Sequence, residues 1–285
     1  MELLTAGYGL IEGPVWHPER GLIFSDVVHG GVFCLAGDGG VSEVFPHRRG
    51  IGGMSLHVDG GLVVSGRNIA YKAFAGGDTV SLLERDEANG LVGFNDITTD
   101  QAGRIYAGGL GASPVFADGR QPASANLYMI DLDASVQVVG EDVRLTNGLG
   151  FAPDGKTLYH SDTLRNGVFK YAVHDDGTLG AKEHFLRSEH GVPDGLVVAE
   201  DGSLWVALAD GSGVGVWGAD GEFQQLVEIP HPMCTSVCFG GADLRDLYIV
   251  SGSDGQKGDK CGGVFVTRTD VAGLPVAPAR VPVLD

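Results

Sequence analysis

Asn147-Gly-Leu-Gly-Phe-Ala-Pro-Asp-Gly-Lys-Thr-Leu-Tyr-His-Ser161 is the stretch on which the fold turns. A short apolar strand runs into an Asp-Gly turn, and a second apolar strand leaves it and ends in a small residue. Asp and Gly suit such a reversal because both tolerate the backbone angles of a tight turn. The same unit recurs on either side. Asp194-Gly-Leu-Val-Val-Ala-Glu-Asp-Gly-Ser-Leu-Trp-Val-Ala207 follows it, and Asn95-Asp-Ile-Thr-Thr-Asp-Gln-Ala-Gly-Arg-Ile-Tyr-Ala-Gly108 precedes it. Earlier copies begin at Glu12 and Gly52, and a looser one begins at Thr235.

Each copy is followed by a third strand, such as Val168–Val173 or Val214–Trp217, and most by a fourth, such as Glu183–Leu186 or Phe223–Glu228. Four strands per unit, repeated at roughly 40 to 50 residues, is the pattern of propeller blades. The expected fold is therefore all-β: one six-bladed β-propeller domain over residues 1–285, with four antiparallel strands per blade and a central channel. No segment holds a helical period, which disfavours an α/β fold. The sixth copy lacks a clear outer strand. Either Arg280–Leu284 or the N-terminal Glu2–Ala6 could supply it, and the N-terminal choice would remove an exposed sheet edge.

Forty-seven glycines and 12 prolines in a chain that is 43% apolar read as many turns between short strands. The net charge of −18 repels phosphate backbones and anionic lipids, so nucleic-acid and membrane partners are not expected. With no leader-like N-terminus and no long apolar run, a cytoplasmic location is the expectation. Cys34, Cys234, Cys238 and Cys261 are too few and scattered for a disulfide scaffold.

In a propeller the first strand of each blade lines the axis. Counting back from each turn puts Glu12, Gly52, Asn95, Asn147, Asp194 and Thr235 at equivalent depth around one end of the channel. Two carboxylates at close quarters repel unless a cation or proton lies between them. Carboxylates with amide oxygens make a hard, all-oxygen site for one divalent ion. Ca²⁺ suits it best, with Mg²⁺, Mn²⁺ or Zn²⁺ as other candidates. No His or Cys falls at these positions, which argues against a zinc site of the usual kind.

The chain resembles the SMP-30/gluconolactonase/regucalcin family of six-bladed propeller hydrolases over nearly its whole length. The resemblance rests on Glu12-Gly-Pro-Val-Trp16, Phe94-Asn-Asp96, Thr146-Asn-Gly-Leu149 with Pro153–Tyr159, and Pro193-Asp-Gly195 with Leu204–Ala207. It implies a metal-dependent lactonase or esterase, a carboxylic ester hydrolase acting on a small-molecule lactone or ester. Glu12, Asn147 and Asp194 would hold the ion, Asn95 would contact substrate or a metal-bound water, and the ion would polarise the carbonyl for attack by water. Asp194 is the candidate general base, with direct nucleophilic attack as an open variant.

One departure stands out. Sugar-lactone members carry an Arg two residues before the Asn matched by Asn95, and here that position is Gly93. Phe94 stands beside it, and the long loop from Leu110 to Ala125 carries Pro114, Val115, Phe116 and Pro122 and should overhang the mouth. These features point to a substrate less polar than a sugar lactone, with Phe94, Phe116, Asn95 and Arg67 as substrate contacts. Alternatively Arg67, Arg165 or Arg120, on neighbouring mouth loops, could replace the missing Arg. A non-enzymatic, metal-stabilised binding propeller stays open as an alternative, as does a metal-dependent lyase or isomerase.

His29, His190 and His231, on expected mouth loops, are weaker acid–base candidates than ordinary loop residues, and His160 reads as a packed strand residue. Cys234 and Cys238 point the same way on one strand, as core residues do. Gly213-Val-Gly-Val-Trp-Gly218 matches a nucleotide-binding spacing but lies in a strand and opens no helix.

Overall fold

The computed structural model describes residues 1–116, 119–121 and 123–283. Six four-stranded antiparallel sheets stand as blades in a ring. The inner strands are Ile11–His17, Met54–His57, Gly93–Thr99, Thr146–Phe151, Val192–Val198 and Cys234–Gly240. These define blades 1 to 6 in chain order. Among the described residues helix is confined to two short 3-10 turns, Glu87–Asn89 and Thr163–Arg165. Among the described residues no helix is long and apolar enough to cross a membrane.

The blades stack through continuous apolar second strands. Leu22, Ile23 and Phe24 are fully buried, as are Leu62 and Val63, Ile105 and Ala107, and Leu204 and Val206. A blade flanked by neighbours on both faces has no wet side, so its middle strands carry apolar runs instead of alternation. The outer strands do face water, and Val41, Val136, Val138 and Phe223 are exposed there.

Ring closure settles the alternative at the sixth blade. Glu2–Tyr8 pairs antiparallel with Gly262–Arg268 and becomes that blade's outer strand. The C-terminal segment takes a different path. It crosses the face of the ring opposite the inner-strand starts, from blades 5 and 6 to blades 2 and 3. Glu200 N donates to Ala272 O (2.9 Å), Gly273 N to Leu244 O (2.8 Å) and Leu274 N to Val198 O (3.0 Å). Further on, Ala279 N donates to Leu56 O (2.7 Å) and Arg280 N to Gly103 O (2.9 Å), and His57 Nε2 meets Val281 O at 2.9 Å. Ala279 and Val281 are fully buried. Leu284, the last residue of the rejected strand, lies outside the described residues.

Five of the six inner strands carry a register shift near their start, between Glu12 and Val15, Phe94 and Ile97, Thr146 and Leu149, Pro193 and Leu196, and Cys234 and Ser236. Each is a β-bulge, an extra residue that breaks the pleat and re-aims side chains. The bulges coincide with Glu12, Asn95, Asn147, Asp194 and Thr235.

Candidate active site at the channel mouth

In five blades the bulge leaves two successive residues near the axis, and in blade 2 Gly52 and Gly53 stand just before the inner strand. In the first ring are Glu12, Gly52, Asn95, Asn147, Asp194 and Thr235. The second ring reads Gly13, Gly53, Asp96, Gly148, Gly195 and Ser236. Small residues are needed in the second ring because neighbouring inner strands touch there. A Cβ on Gly148 would lie 2.2 Å from Leu196 N, and one on Gly195 would lie 2.1 Å from Ser236 Oγ. Asp96 interrupts this run of small residues.

Three carboxylates therefore share the channel. Burial, followed by the neighbouring Asp194 and Asp96, pushes Glu12 well above the usual carboxylate range. Burial, then Asp96, raises Asp194 in the same way. Burial pushes Asp96 up to about 7, against one opposing hydrogen bond from Ile97 N (3.0 Å). Asp194 is 5% exposed, and its buried Oδ1 has no hydrogen-bond partner.

The two asparagines are held in fixed orientation. Thr163 donates its hydroxyl proton to Pro193 O (2.7 Å), so its oxygen is left to accept from Asn147 Nδ2 (2.6 Å). This turns Asn147 Oδ1 away from Thr163. Asn95 Nδ2 donates to that Oδ1 (2.5 Å) and to Thr146 O (2.8 Å). Asn95 reaches across the empty side of Gly52, where a Cβ would fall 2.0 Å from its Oδ1. Gly52 is thus the space that Asn95 occupies. Thr235 is spent on structure, donating to Ile11 O at 2.6 Å and approaching Val250 O at 3.2 Å.

Glu12, Asn147 and Asp194 fit a hard divalent ion. An unpartnered buried carboxylate oxygen, two mutually repelling carboxylates and an amide oxygen with a spare lone pair are the donors such an ion requires. Among the described residues no three His, Cys, Asp or Glu side chains form a ligating cluster by themselves.

Other sequence expectations fall out unevenly. Phe94 is 1% exposed, with its ring edge-on to Tyr128 at 5.8 Å in the packing between blades, so it lines no part of the mouth. Phe116 is exposed and lies against Gly50 of the blade 1 to blade 2 crossover, where a Cβ would meet its ring at 3.4 Å. Pro122 of the same loop lies outside the described residues. Arg67 is exposed, with its Cα beside Gly93. Arg165 is engaged by Asp142 and by Asp162 (3.2 Å to the latter), and Arg120 by Glu87 (2.6 Å).

The histidines are occupied structurally. His29 Nε2 meets Asp259 O at 3.2 Å, His190 stacks on Phe223 at 4.4 Å, and His231 Nδ1 meets Ser251 Oγ at 2.8 Å. His160 is fully buried, with Nε2 3.0 Å from Thr146 Oγ1. Cys234 and Cys238 are both core residues. Gly213–Trp217 is a strand. Asp96 is the residue that sequence reasoning passed over. Its signal was present: a carboxylate at the one register position where the other five copies carry Gly or Ser.

A family model described as the SMP-30/gluconolactonase/LRE-like region matches residues 10–253. The chain is similar to a pentonolactonase of Haloferax volcanii, 31% identical over 92% of this chain and 90% of that protein. It is also similar to a 6-deoxy-6-sulfogluconolactonase of Pseudomonas putida, 34% identical over 92% of each. Among solved structures, a gluconolactonase from Xanthomonas campestris superposes with a TM-score of 0.79 at 26% identity, covering 93% of this chain and 89% of that one.

Proposed function

This chain belongs to the SMP-30/gluconolactonase/LRE-like family, and from that premise we propose that it is a metal-dependent lactonase working at the channel mouth. The observation that carries the reading is the pair formed by half-buried Glu12 and buried Asp194, whose Oδ1 has no partner. Such a pair is costly to leave uncompensated, so its retention needs a use. The lactonase names of the relatives supply the reaction class.

Glu12, Asn147 and Asp194 would hold one divalent ion, Ca²⁺ ahead of Mg²⁺, Mn²⁺ or Zn²⁺. When bound, the ion would supply Lewis-acid polarisation of the ester carbonyl and neutralise the excess carboxylate charge. Asp194 would also take the proton from the attacking water. Asn95, fixed by Asn147 and Thr146 O, would position substrate or water. Asp96 adds a third negative charge behind this set and reinforces cation binding. The Thr163 relay keeps the Asn147 oxygen, not its nitrogen, turned toward the site.

Position 93 bears on the substrate. A Cβ there would fall 2.8 Å from Gly66 O, so backbone closes the place where an arginine would reach for sugar hydroxyls. With Phe116 exposed nearby, a ring less hydroxylated than a sugar lactone fits better.

Hydrolysis of a lactone panel before and after chelation tests the reading. Turnover should vanish with chelator and return with Ca²⁺. Absence of turnover for every lactone and ester would indicate a binding propeller instead. Product formed without incorporation of solvent oxygen would indicate a lyase or isomerase.

A further inference from the structure

The strands that carry Glu12 and Asn147 share a feature that the other blades lack. The residue before each is paired with a buried aspartate at the end of the second strand, Ile11 with Asp26 in blade 1 and Thr146 with Asp162 in blade 4. Asp26 is 3% exposed and Asp162 is fully buried. Blades 3, 5 and 6 carry Gly109, Leu208 and Ser251 at the same pairing, and in blade 2 Val64 is followed by Ser65 and Gly66.

Both carboxylates reach back to the chain that enters the inner strand. Asp26 Oδ2 accepts from Gly9 N (2.9 Å), three residues before Glu12, while Oδ1 accepts from Val28 N (3.1 Å) and His29 N (3.0 Å) of its own turn. Asp162 Oδ2 accepts from Arg144 N (3.0 Å) and Oδ1 from Leu145 N (3.0 Å), three and two residues before Asn147. Arg165 Nε meets the same Oδ2 at 3.2 Å. The next residue completes each hold: Val27 N donates to Leu10 O (2.8 Å) and Thr163 N to Leu145 O (3.0 Å). Bonds from backbone N–H groups to a carboxylate are among the stronger ones, and here they fix the main chain itself. Blades 3, 5 and 6 make the same pairing with a neutral residue, so the pairing alone does not require a buried carboxylate, which is costly without such bonds.

Blades 1 and 4 stand opposite each other in the ring of six. The gap between the Glu12 carboxylate and the Asn147 amide oxygen is therefore set by where each strand enters the ring. Asp194, in blade 5, follows Pro193, whose carbonyl is held by the Thr163 hydroxyl, and Thr163 follows Asp162 directly. The two aspartates thus stand behind all three ligand strands. An ion site tolerates donor errors of only about 0.2 to 0.5 Å. Ca²⁺ needs oxygens at about 2.3 to 2.6 Å and Mg²⁺ at about 2.0 to 2.1 Å, so donor spacing decides between them.

We propose that Asp26 and Asp162 are positioning residues that set the spacing of the ligand oxygens, and with it the preference for a large divalent ion over a small one. This rests on the metal-dependent reading and names what tunes that same site.

The test uses Asp26→Asn and Asp162→Asn, which keep the size of the side chain and one acceptor oxygen. In Asp26→Asn that oxygen can still cap Val28 and His29, while the amide nitrogen is left facing Gly9 N. Asp100→Asn is the control, because Asp100 Oδ1 accepts from Gly103 N and Arg104 N (both 2.9 Å) in a turn at the other end of the ring. Calorimetric titrations with CaCl₂ and MgCl₂ are run at a temperature where every protein is folded. Each mouth variant should lose about tenfold in Ca²⁺ affinity, and its preference for Ca²⁺ over Mg²⁺ should shrink. Asp100→Asn should lower Tm and leave both affinities within about twofold. Mouth variants that lose Tm but keep the wild-type affinities would make the aspartates purely structural and overturn the inference. Crystals of ion-free wild type and Asp26→Asn give a readout that needs no bound ion. The distance between the Glu12 and Asn147 oxygens should change by about 0.5 Å or more, and an unchanged distance overturns the inference. If wild type binds no divalent ion, the metal reading fails, and the crystals alone decide whether the aspartates set the spacing.

Discussion

The two ends of the channel are built on opposite terms. At the floor, the C-terminal segment ties blades 5 and 6 to blades 2 and 3 through backbone hydrogen bonds, and its Ala279 and Val281 are fully buried. The backbone groups that join it to the blades are hydrogen-bonded, and Ala279 and Val281 are covered, which is what stability requires. At the mouth, Glu12, Asp96 and Asp194 are forced together, and Asp194 Oδ1 has no partner. The mouth holds charge in arrangements that cost stability. A fold that satisfies one end and leaves the other unsatisfied marks the second as the functional end.

The largest expected break in this contrast is chemical. Asp194→Ala or Glu12→Gln should lower kcat/KM for a lactone by about a thousandfold or more, in line with loss of a general base together with an ion site. Calorimetry should show divalent-ion binding weakened in parallel. Thermal unfolding sharpens the point. In ion-free protein at pH 8, Glu12→Gln should melt higher than wild type, because it removes one of the repelling carboxylates.

The floor should respond in the opposite sense. Val281→Asp buries a charge and should cost about 3 kcal/mol, lowering Tm on the order of 10 °C. Activity measured well below that melting point should stay within about twofold. A collapse of activity at 25 °C in folded protein would show that the two ends are not independent.

Smaller effects probe the asparagine relay. Gly52→Ala puts a methyl group where Asn95 Oδ1 lies, and should cost about tenfold in kcat/KM with little change in Tm. Thr163→Val removes the acceptor for Asn147 Nδ2 and the donor to Pro193 O. It should weaken ion binding by about tenfold, equivalent to roughly 1.4 kcal/mol.

A separate effect is a pH dependence of stability away from the reaction. Burial, then Lys182, lowers His160 to about 3. The unfolded chain therefore binds a proton near pH 6.5 that the folded chain refuses. His160 contributes stability above that pH and loses it as pH falls toward 3, by up to about 1.4 kcal/mol per pH unit. Denaturation midpoints between pH 7 and 4 should fall less steeply in His160→Gln.

The sequence made the ring legible because each blade repeats its strand, Asp-Gly turn and strand at constant register. That register also located Glu12, Asn95, Asn147 and Asp194, since equivalent positions in a ring must converge. It could not show the bulges. With strict alternation, neighbours in a strand face opposite ways. An extra residue after Phe94 lets both Asn95 and Asp96 face the channel while Phe94 stays in the packing between blades. Hence Asp96 was overlooked and Phe94 was expected at the mouth. The closing strand was ambiguous for a related reason. Glu2–Ala6 and Arg280–Leu284 are both short apolar segments, and only tertiary packing assigns one to the open edge of blade 6 and draws the other across the floor.

The most direct test of the central claim is a Ca²⁺ titration of chelator-treated protein, with heat of binding and lactone hydrolysis read on the same samples. The account predicts one ion per chain and turnover that rises in proportion to occupancy from a baseline near zero. Full turnover in ion-free protein, or an active protein that binds no divalent ion, would contradict it.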